Sequence, residues 1–331
     1  MILVLTNSLD ATATYLVPIL ENAGIDVMRF DTDDLVPKLK GSYRSSAASL
    51  CWNNRQISPD DIEHVWYRRP DRLTSQFFGD SPEGNYARLE WTEFVECFLA
   101  HIPSSKWINH PARNVAASRK LHQLTIASKL GFITPDTLVT QDPQDLRDFF
   151  YQHGGQIIAK PMSTGYVERP GEESDTLIYT NRVHESQLDD LADLANCPTF
   201  FQQFIQKKSD VRITVVDREI NAVEMLATDE SGKQRCDIRR NNMVDVSYRP
   251  IALPPQVEKN IHQLMSHFQL RFGAIDMAIT PNGNWVFFEI NPNGQWAWLD
   301  LSAETAIAES FVKSFKTTTS KQSTVFSGLC H

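Results

Sequence analysis

The 331-residue chain is poor in the features that mark secreted, fibrous or membrane proteins. It has 14 glycines with no regular period, which excludes a collagen-like chain. The five cysteines, Cys51, Cys97, Cys197, Cys236 and Cys330, are odd in number, scattered, and never spaced as metal-binding pairs. Neither a disulfide framework nor a zinc site is expected, and a reduced, cytoplasmic setting fits best. No uninterrupted apolar run reaches the roughly 18 residues of a membrane helix, and the opening MILVLTN has no basic lead, so no span or export signal is expected. Cations are the scarcer sign: 32 Lys and Arg face 41 Asp and Glu, a net charge of -9. Such a surface is not built to neutralise many phosphates, and nucleic acid is not expected as a main partner. What is present is a globular composition, 41% hydrophobic and 22% charged. At roughly 150 residues per domain the length suggests about two domains, long enough for a sizeable core.

Residues 2–6 and 25–30 read as strands around an amphipathic helix carrying Leu16, Ile19 and Leu20 and closed by Gly24. A strand Val65-Trp66-Tyr67 ends in Arg68-Arg69-Pro70, and Ala87 to Leu99 repeats apolar residues at helical spacing until Pro103. One helix is expected through Val115, Leu121, Leu124, Ala127 and Leu130 with Gly131 as its stop. Thr137–Thr140 is a strand, and Asp142-Pro143 is a cap and first turn for a helix burying Leu146, Phe149 and Phe150. Ile157–Lys160 and Thr176–Thr180 are strands, Met162 to Ser174 a loop, and Leu188, Leu191 and Leu194 a helix. Strands follow at Thr199–Ile205, Val211–Val216 and Ile220–Leu226, then a helix through Val257 to Phe268. Two more strands, Ala274–Thr280 and Trp285–Ile290, precede a C-terminal helix of about 302–315, and the Ser/Thr-rich end from Lys316 is expected to be disordered.

Within GAIDMAITPNGNWVFFEINPNGQWAWL, Asn282-Gly283 is a strong two-residue turn signal, because both central positions need positive φ. That turn places Asp276 opposite Glu289. The alternation then gives Ile275, Met277, Ile279, Val286, Phe288 and Ile290 to the core, and Asp276, Glu289 and Asn291 to the other face. Facing carboxylates repel unless something compensates. Two acids and an amide suit Mg2+, which favours a few oxygen ligands together with phosphate. An acidic hairpin without a ligand is the alternative.

Lys160 ends a strand and points into Ser163-Thr164-Gly165, a backbone cradle for phosphate or merely a solvated strand end. Lys120 sits on a mostly apolar helix. Gln202 and Gln203 interrupt an apolar strand, either to meet a purine edge or as an edge strand.

In this order the segments resemble the ATP-grasp superfamily of carboxylate ligases: Lys120 followed by LGFITPDTLVT, IIAKP, FFQQFIQKKSDVR, AIDMAI and FFEINPNG, across about 110–300. VWYRRP, KWINHPARN and EINPNGQWAWL narrow the resemblance to the maturases of microviridin-type or graspetide precursor peptides, over nearly the whole chain. The resemblance implies an α/β (α+β) chain with the ATP-grasp fold. Residues 1–110 would be a pre-ATP-grasp α/β domain, 111–195 a central lid subdomain, 196–316 the C-terminal subdomain, and 317–331 a disordered tail. It implies an ADP-forming ligase, with ATP and Mg2+ as cofactors. Side-chain carboxylates of a ribosomal precursor peptide, made of a leader and an acidic core, would be phosphorylated and then captured by Ser/Thr hydroxyls or a Lys amine. A homodimer is compatible with it.

By the same resemblance Lys120, Lys160 and Ser163 meet the phosphates, Gln203, Phe204 and Ile205 line the adenine pocket, and Asp210 meets the ribose. Arg212 faces the transferring phosphoryl group, Arg239 the activated carboxylate, and Asp237 is the candidate base. Asp276, Glu289 and Asn291 hold Mg2+. Gln203 departs from the pattern, where an acid is common, and Arg240 is an extra cation after the Asp-x-Arg pair. These residue types suit phosphoryl transfer, which needs positioning and charge neutralisation. A ligase for a small carboxylate and a non-catalytic ATP- or peptide-binding protein are the alternatives. Arg68 and Arg69 either pair with acidic peptide side chains or are structural, and the region of about Thr228 to Arg235 is a candidate hairpin for docking the leader.

Overall fold

A computed structural model describes the chain except residues 35–38, 53, 72, 74–77, 164, 170–175, 240–242, 244 and 324–331. Part of the Met162 to Ser174 loop, Arg240 and Cys330 therefore lie outside the described residues. Among the described residues helices and strands are mixed in three main sheets, a three-stranded meander and a two-stranded pair, Tyr166–Val167 with Thr176–Leu177. The first is parallel, ordered Val27–Asp31, Ile2–Thr6, His64–Tyr67, Trp107–Ile108. A three-stranded antiparallel meander, Leu39–Arg44, Ala47–Trp52 and Arg55–Ile57, packs beside it and was not anticipated from the sequence. Its alternation is weak, since Leu39–Arg44 buries only its first residue.

The middle sheet is antiparallel and small, ordered Asn181–Arg182, Ile157–Lys160, Thr199–Gln203, Thr137–Thr140. Its helix begins as expected: the Asp142 carboxylate caps Gln144 N at 2.7 Å, and Leu146, Phe149 and Phe150 are buried. The large sheet has five antiparallel strands, ordered Ser247–Pro250, Glu219–Leu226, Ser209–Val216, Phe272–Ile279, Trp285–Asn291. One face, with Val211, Ile213, Val215, Ile275 and Met277, packs on helices Lys120–Lys129 and Pro255–His267. The other face is divided. Val223, Met225 and Ala274 join a core with Trp296, Leu299, Phe311 and Phe315, and that same core takes in Ile2, Val4, Leu16, Leu20 and Trp66. The C-terminal helices are thus wedged between the first sheet and the last, and packing crosses residue 110. Beyond their cover, the face carries charge.

Several expectations change. The single helix from Val115 to Leu130 is two, Pro111–Ala117 and Lys120–Lys129, broken where Arg119 is extended. Val115 and Leu121 are consequently exposed, not part of a buried stripe. The leucines at 188, 191 and 194 lie in or beside short 3-10 turns, Glu185–Leu188 and Ala192–Asn196, not in a helix. The strand expected at Thr176–Thr180 is only Thr176–Leu177. The C-terminal helix is two, Ala297–Ala303 and Ile307–Ser323, so the expected disordered tail begins inside a helix that has no proline or glycine to stop it. None of the described cysteines forms a disulfide, and no described helix is long and apolar enough to cross a membrane.

Candidate functional site

The Phe272–Asn291 hairpin places the two acids opposite each other, by a different route from the one the turn suggested. Thr280 N donates to Asn284 O at 2.9 Å and Gly283 N to Thr280 O at 2.9 Å, leaving the three-residue loop Pro281–Gly283 with Gly283 at φ +81°. That is one residue longer than an Asn-Gly turn of two, and its glycine supplies the left-handed position such a loop needs. A bulge then restores the register: Met277 faces Phe287, Asp276 faces Glu289, and Phe288 is the extra residue. The core face is therefore Ile275, Met277, Ile279, Trp285, Phe287 and Ile290. Val286 and Phe288, assigned to that face from strict alternation, are not on it, and Phe288 lines a cavity instead.

That cavity, about 360 Å³, lies between the middle and large sheets. Every residue singled out for the site from sequence lines it: Lys120, Lys160, Ser163, Gln203, Phe204, Ile205, Asp210, Arg212, Asp237, Arg239, Asp276, Glu289 and Asn291. Arg212 stands directly across from Asp276 on the neighbouring strand, its Nη1 2.9 Å from Oδ1 and 3.1 Å from Oδ2. Lys120 Nζ is 3.6 Å from Glu289 Oε2 and donates to Pro161 O at 3.1 Å, bridging the two sheets. Lys160 Nζ lies 4.9 Å from the centre of the Phe200 ring.

The electrostatics follow from this crowding. Burial raises the Asp276 carboxyl; Arg212 opposes the rise and Glu289 adds to it. Burial also favours a raised Glu289, but Lys120, Lys160, Arg212 and Arg239 together outweigh it and hold this carboxyl below its usual range. The Lys160 ammonium is pushed down to about 8 by burial, against the pull of Glu289. Among the described residues no cluster of three or more His, Cys, Asp or Glu side chains is placed to hold a metal. The available set is two facing acids plus the Asn291 amide, all hard oxygen donors, which fits a small dication such as Mg2+ and not a thiophilic metal.

Three positions differ in detail from their expected surroundings. Both oxygens of Asp210 accept from Lys207 Nζ, at 2.8 and 2.9 Å, and Oδ2 also accepts from Gln234 Nε2 at 2.8 Å. Gln203 Oε1 accepts from Asp136 N at 3.5 Å, so its amide turns toward the neighbouring strand. Asp237 takes a two-pronged bond from Arg239, 2.9 Å from Nε and 2.6 Å from Nη2, and further bonds from Arg239 N and Thr180 N. Although its burial opposes this, these donors lower the Asp237 carboxyl. Lys207 and Phe288 also line the cavity and were missed, as was Gln234, which reaches it only through Asp210. Lys207 was legible, three residues before Asp210, whereas a bulge leaves no mark in an apolar run.

No protein-family model and no curated protein sequence matches the chain, but solved structures do. The RiPP-associated ATP-grasp ligase of Chryseobacterium gregarium, solved with ADP and a leader and core peptide, aligns with a TM-score of 0.82 at 28% identity, over 96% of each chain. The macrocyclase MdnC of Microcystis aeruginosa MRC, bound with precursor peptide MdnA, aligns at 0.80 with 25% identity, over 96% of this chain and 99% of that one. The fold is that of the RiPP-associated ATP-grasp ligases. Macrocyclase MdnB of the same Microcystis strain is a further neighbour, with a TM-score of 0.73 and 27% identity over 95% of this chain and 98% of that one. By this likeness the cavity between the middle and large sheets is the candidate nucleotide cleft.

Proposed function

We propose that this chain is a cytoplasmic, ATP-dependent ligase acting on a ribosomal precursor peptide. It phosphorylates Asp or Glu side chains of the peptide and closes ester or amide cross-links with Ser/Thr hydroxyls or a Lys amine. The observation that carries this is the convergence of Lys120, Lys160, Arg212 and Arg239 with Asp276 and Glu289 around one cavity. In the first step a peptide carboxylate oxygen attacks the terminal phosphorus of ATP and ADP leaves. In the second, the hydroxyl or amine attacks the acyl carbon and phosphate leaves.

Lys120 and Lys160 hold the phosphates beside Ser163, Gln203 to Ile205 line the adenine pocket, and Asp210 serves the ribose. Arg212, already paired to Asp276, stabilises charge on the transferring phosphoryl group. Asp276, Glu289 and Asn291 would hold Mg2+, which when bound neutralises phosphate charge. Arg239 binds the activated carboxylate. Asp237, with four donors and a lowered proton affinity, orients Arg239 and is a poor proton acceptor, so this role replaces that of general base.

A second, wider cavity of about 1470 Å³ runs from the middle sheet to the Thr228–Arg235 segment and shares Thr180, Cys236 and Asp237 with the nucleotide cleft. That segment is a hairpin, bridged at Thr228 and Gln234, with Gly232 at φ +75° in its turn. A groove of this size opening into the cleft suits a peptide better than a small carboxylate, and its hairpin is the proposed leader-docking edge. The test is mass spectrometry of a short acidic precursor encoded beside the gene, with ATP and Mg2+. Loss of one water per ring is expected; ATP turnover with unchanged peptide mass overturns the reading. Replacing the Thr228–Arg235 hairpin is expected to abolish precursor binding while ATP binding remains.

A further inference from the structure

Arg68 directly follows the strand His64–Tyr67, at the carboxyl edge of the first sheet, and is 1% exposed. Nothing on a peptide can reach it. Its Nη1 donates to Asn293 O at 2.5 Å and its Nη2 to Gln295 Oε1 at 2.7 Å, while Nε lies 3.4 Å from Asp10 Oδ2. Asp10 is itself held by Thr6 Oγ1 at 2.7 Å and Thr12 N at 3.1 Å, and the Thr12 hydroxyl donates to Gln295. A charged, buried side chain from one sheet thus grips a loop more than 200 positions away in the chain.

The gripped loop follows directly from the strand that carries Glu289 and Asn291. Other buried amides hold it from further sides. Gln123 donates to Ile290 O at 2.8 Å and accepts from Ile290 N at 3.0 Å; Asn109 Nδ2 donates to Pro292 O at 3.1 Å; Asn114 Nδ2 donates to Asn293 Oδ1 at 3.2 Å. Gly294 permits the close approach, since a Cβ there would lie 2.3 Å from Ala274 Cβ, and Ala274 is the register partner of Asn291. The last link is local: Asn291 Oδ1 accepts from Asn293 N at 2.9 Å. The orientation of the Asn291 amide therefore depends on where Asn293 sits, and Arg68 holds the Asn293 carbonyl.

We propose that Arg68 is a positioning residue for the cation site, setting the Asn291 amide through Asn293 from within the N-terminal unit. The inference rests on the reading of Asp276, Glu289 and Asn291 as cation ligands. Groups one step removed from a metal typically alter its affinity 10- to 100-fold; Arg68 reaches the Asn291 amide only through Asn293 and so belongs at the low end of that range. A lysine cannot reproduce the two-pronged grip, because it offers a point charge in place of a planar fork.

The test uses full-length protein with ADP and Mn2+ as the probe, titrated by electron paramagnetic resonance, with melting temperature and metal-free ADP affinity measured alongside. Arg68→Lys is expected to weaken Mn2+ about tenfold with metal-free ADP affinity unchanged, in keeping with the outer-ligand range. Gln295→Leu, which removes one Arg68 partner from the loop side, is expected to shift Mn2+ in the same direction and covers the case in which Arg68→Lys fails to fold. Lower melting temperatures with unaltered Mn2+ affinity in the folded variants overturn the proposal. If Glu289→Gln weakens Mn2+ but neither of these variants does, only the Arg68 inference falls. If Glu289→Gln also binds Mn2+ normally, the cation site itself is wrong and the inference falls with it.

Discussion

The two walls of the candidate nucleotide cleft are built on different scales. On the large-sheet side, Asp210, Arg212, Asp276 and Glu289 stand on strands of seven or eight residues whose opposite face is packed under two helices. On the other side, Lys160 ends a strand of four residues in a sheet whose outer strand has two, over a small core around Leu146, Phe150 and Phe201. Local stability follows apolar burial and paired backbone, so the charged floor is held more firmly than the lysine-bearing roof. The difference suits the proposed site, in which Asp276 and Glu289 would be fixed in advance and the grip of Lys160 on phosphate could adjust.

Four substitutions would break or sharpen that contrast. The largest effect is on chemistry: Glu289→Gln is expected to abolish ATP-dependent product while leaving the fold intact, checked by mass spectrometry and circular dichroism. Undiminished turnover would remove Glu289 from the site. Next is stability. Phe287→Ala, in the packed face under the floor, is expected to cost about 3–5 kcal/mol in denaturant unfolding. Asp142→Ala, which removes a helix cap from the roof, is expected to cost about 1 kcal/mol. Equal effects would argue against the two scales. The smallest is a pH effect on the roof. Burial lowers the Lys160 ammonium to about 8, so it is charged below that pH and loses its proton as pH rises through it. The KM for ATP is therefore expected to rise severalfold between about pH 7 and 9 in the wild type, and to lose that dependence in Lys160→Arg, whose guanidinium stays charged.

Much of the site was legible because its signals are local. A proline after an aspartate begins a helix, an Asn-Gly pair turns a hairpin, and alternation sends Asp276 away from the core. A two-residue turn also implies that Asp276 faces Glu289, yet the chain uses a three-residue loop and a bulge at Phe288, and the two shifts cancel. The count succeeded at the acids and failed below them, where Phe287 and not Phe288 enters the core. Helix breaks were harder to see. Arg119 departs from helical geometry without a glycine or proline to announce it.

The amino-acid sequence by itself determined most of the strands, the shared face of Asp276 and Glu289 and the identity of the charged groups, because periodicity and turn chemistry act between near neighbours. Tertiary structure decided who partners whom. Whether Arg68 would meet a peptide or the Asn293 carbonyl depended on how separate sheets close on one another. A buried guanidinium or carboxylate must find donors or acceptors wherever the fold supplies them, and nothing in its own stretch of chain names them.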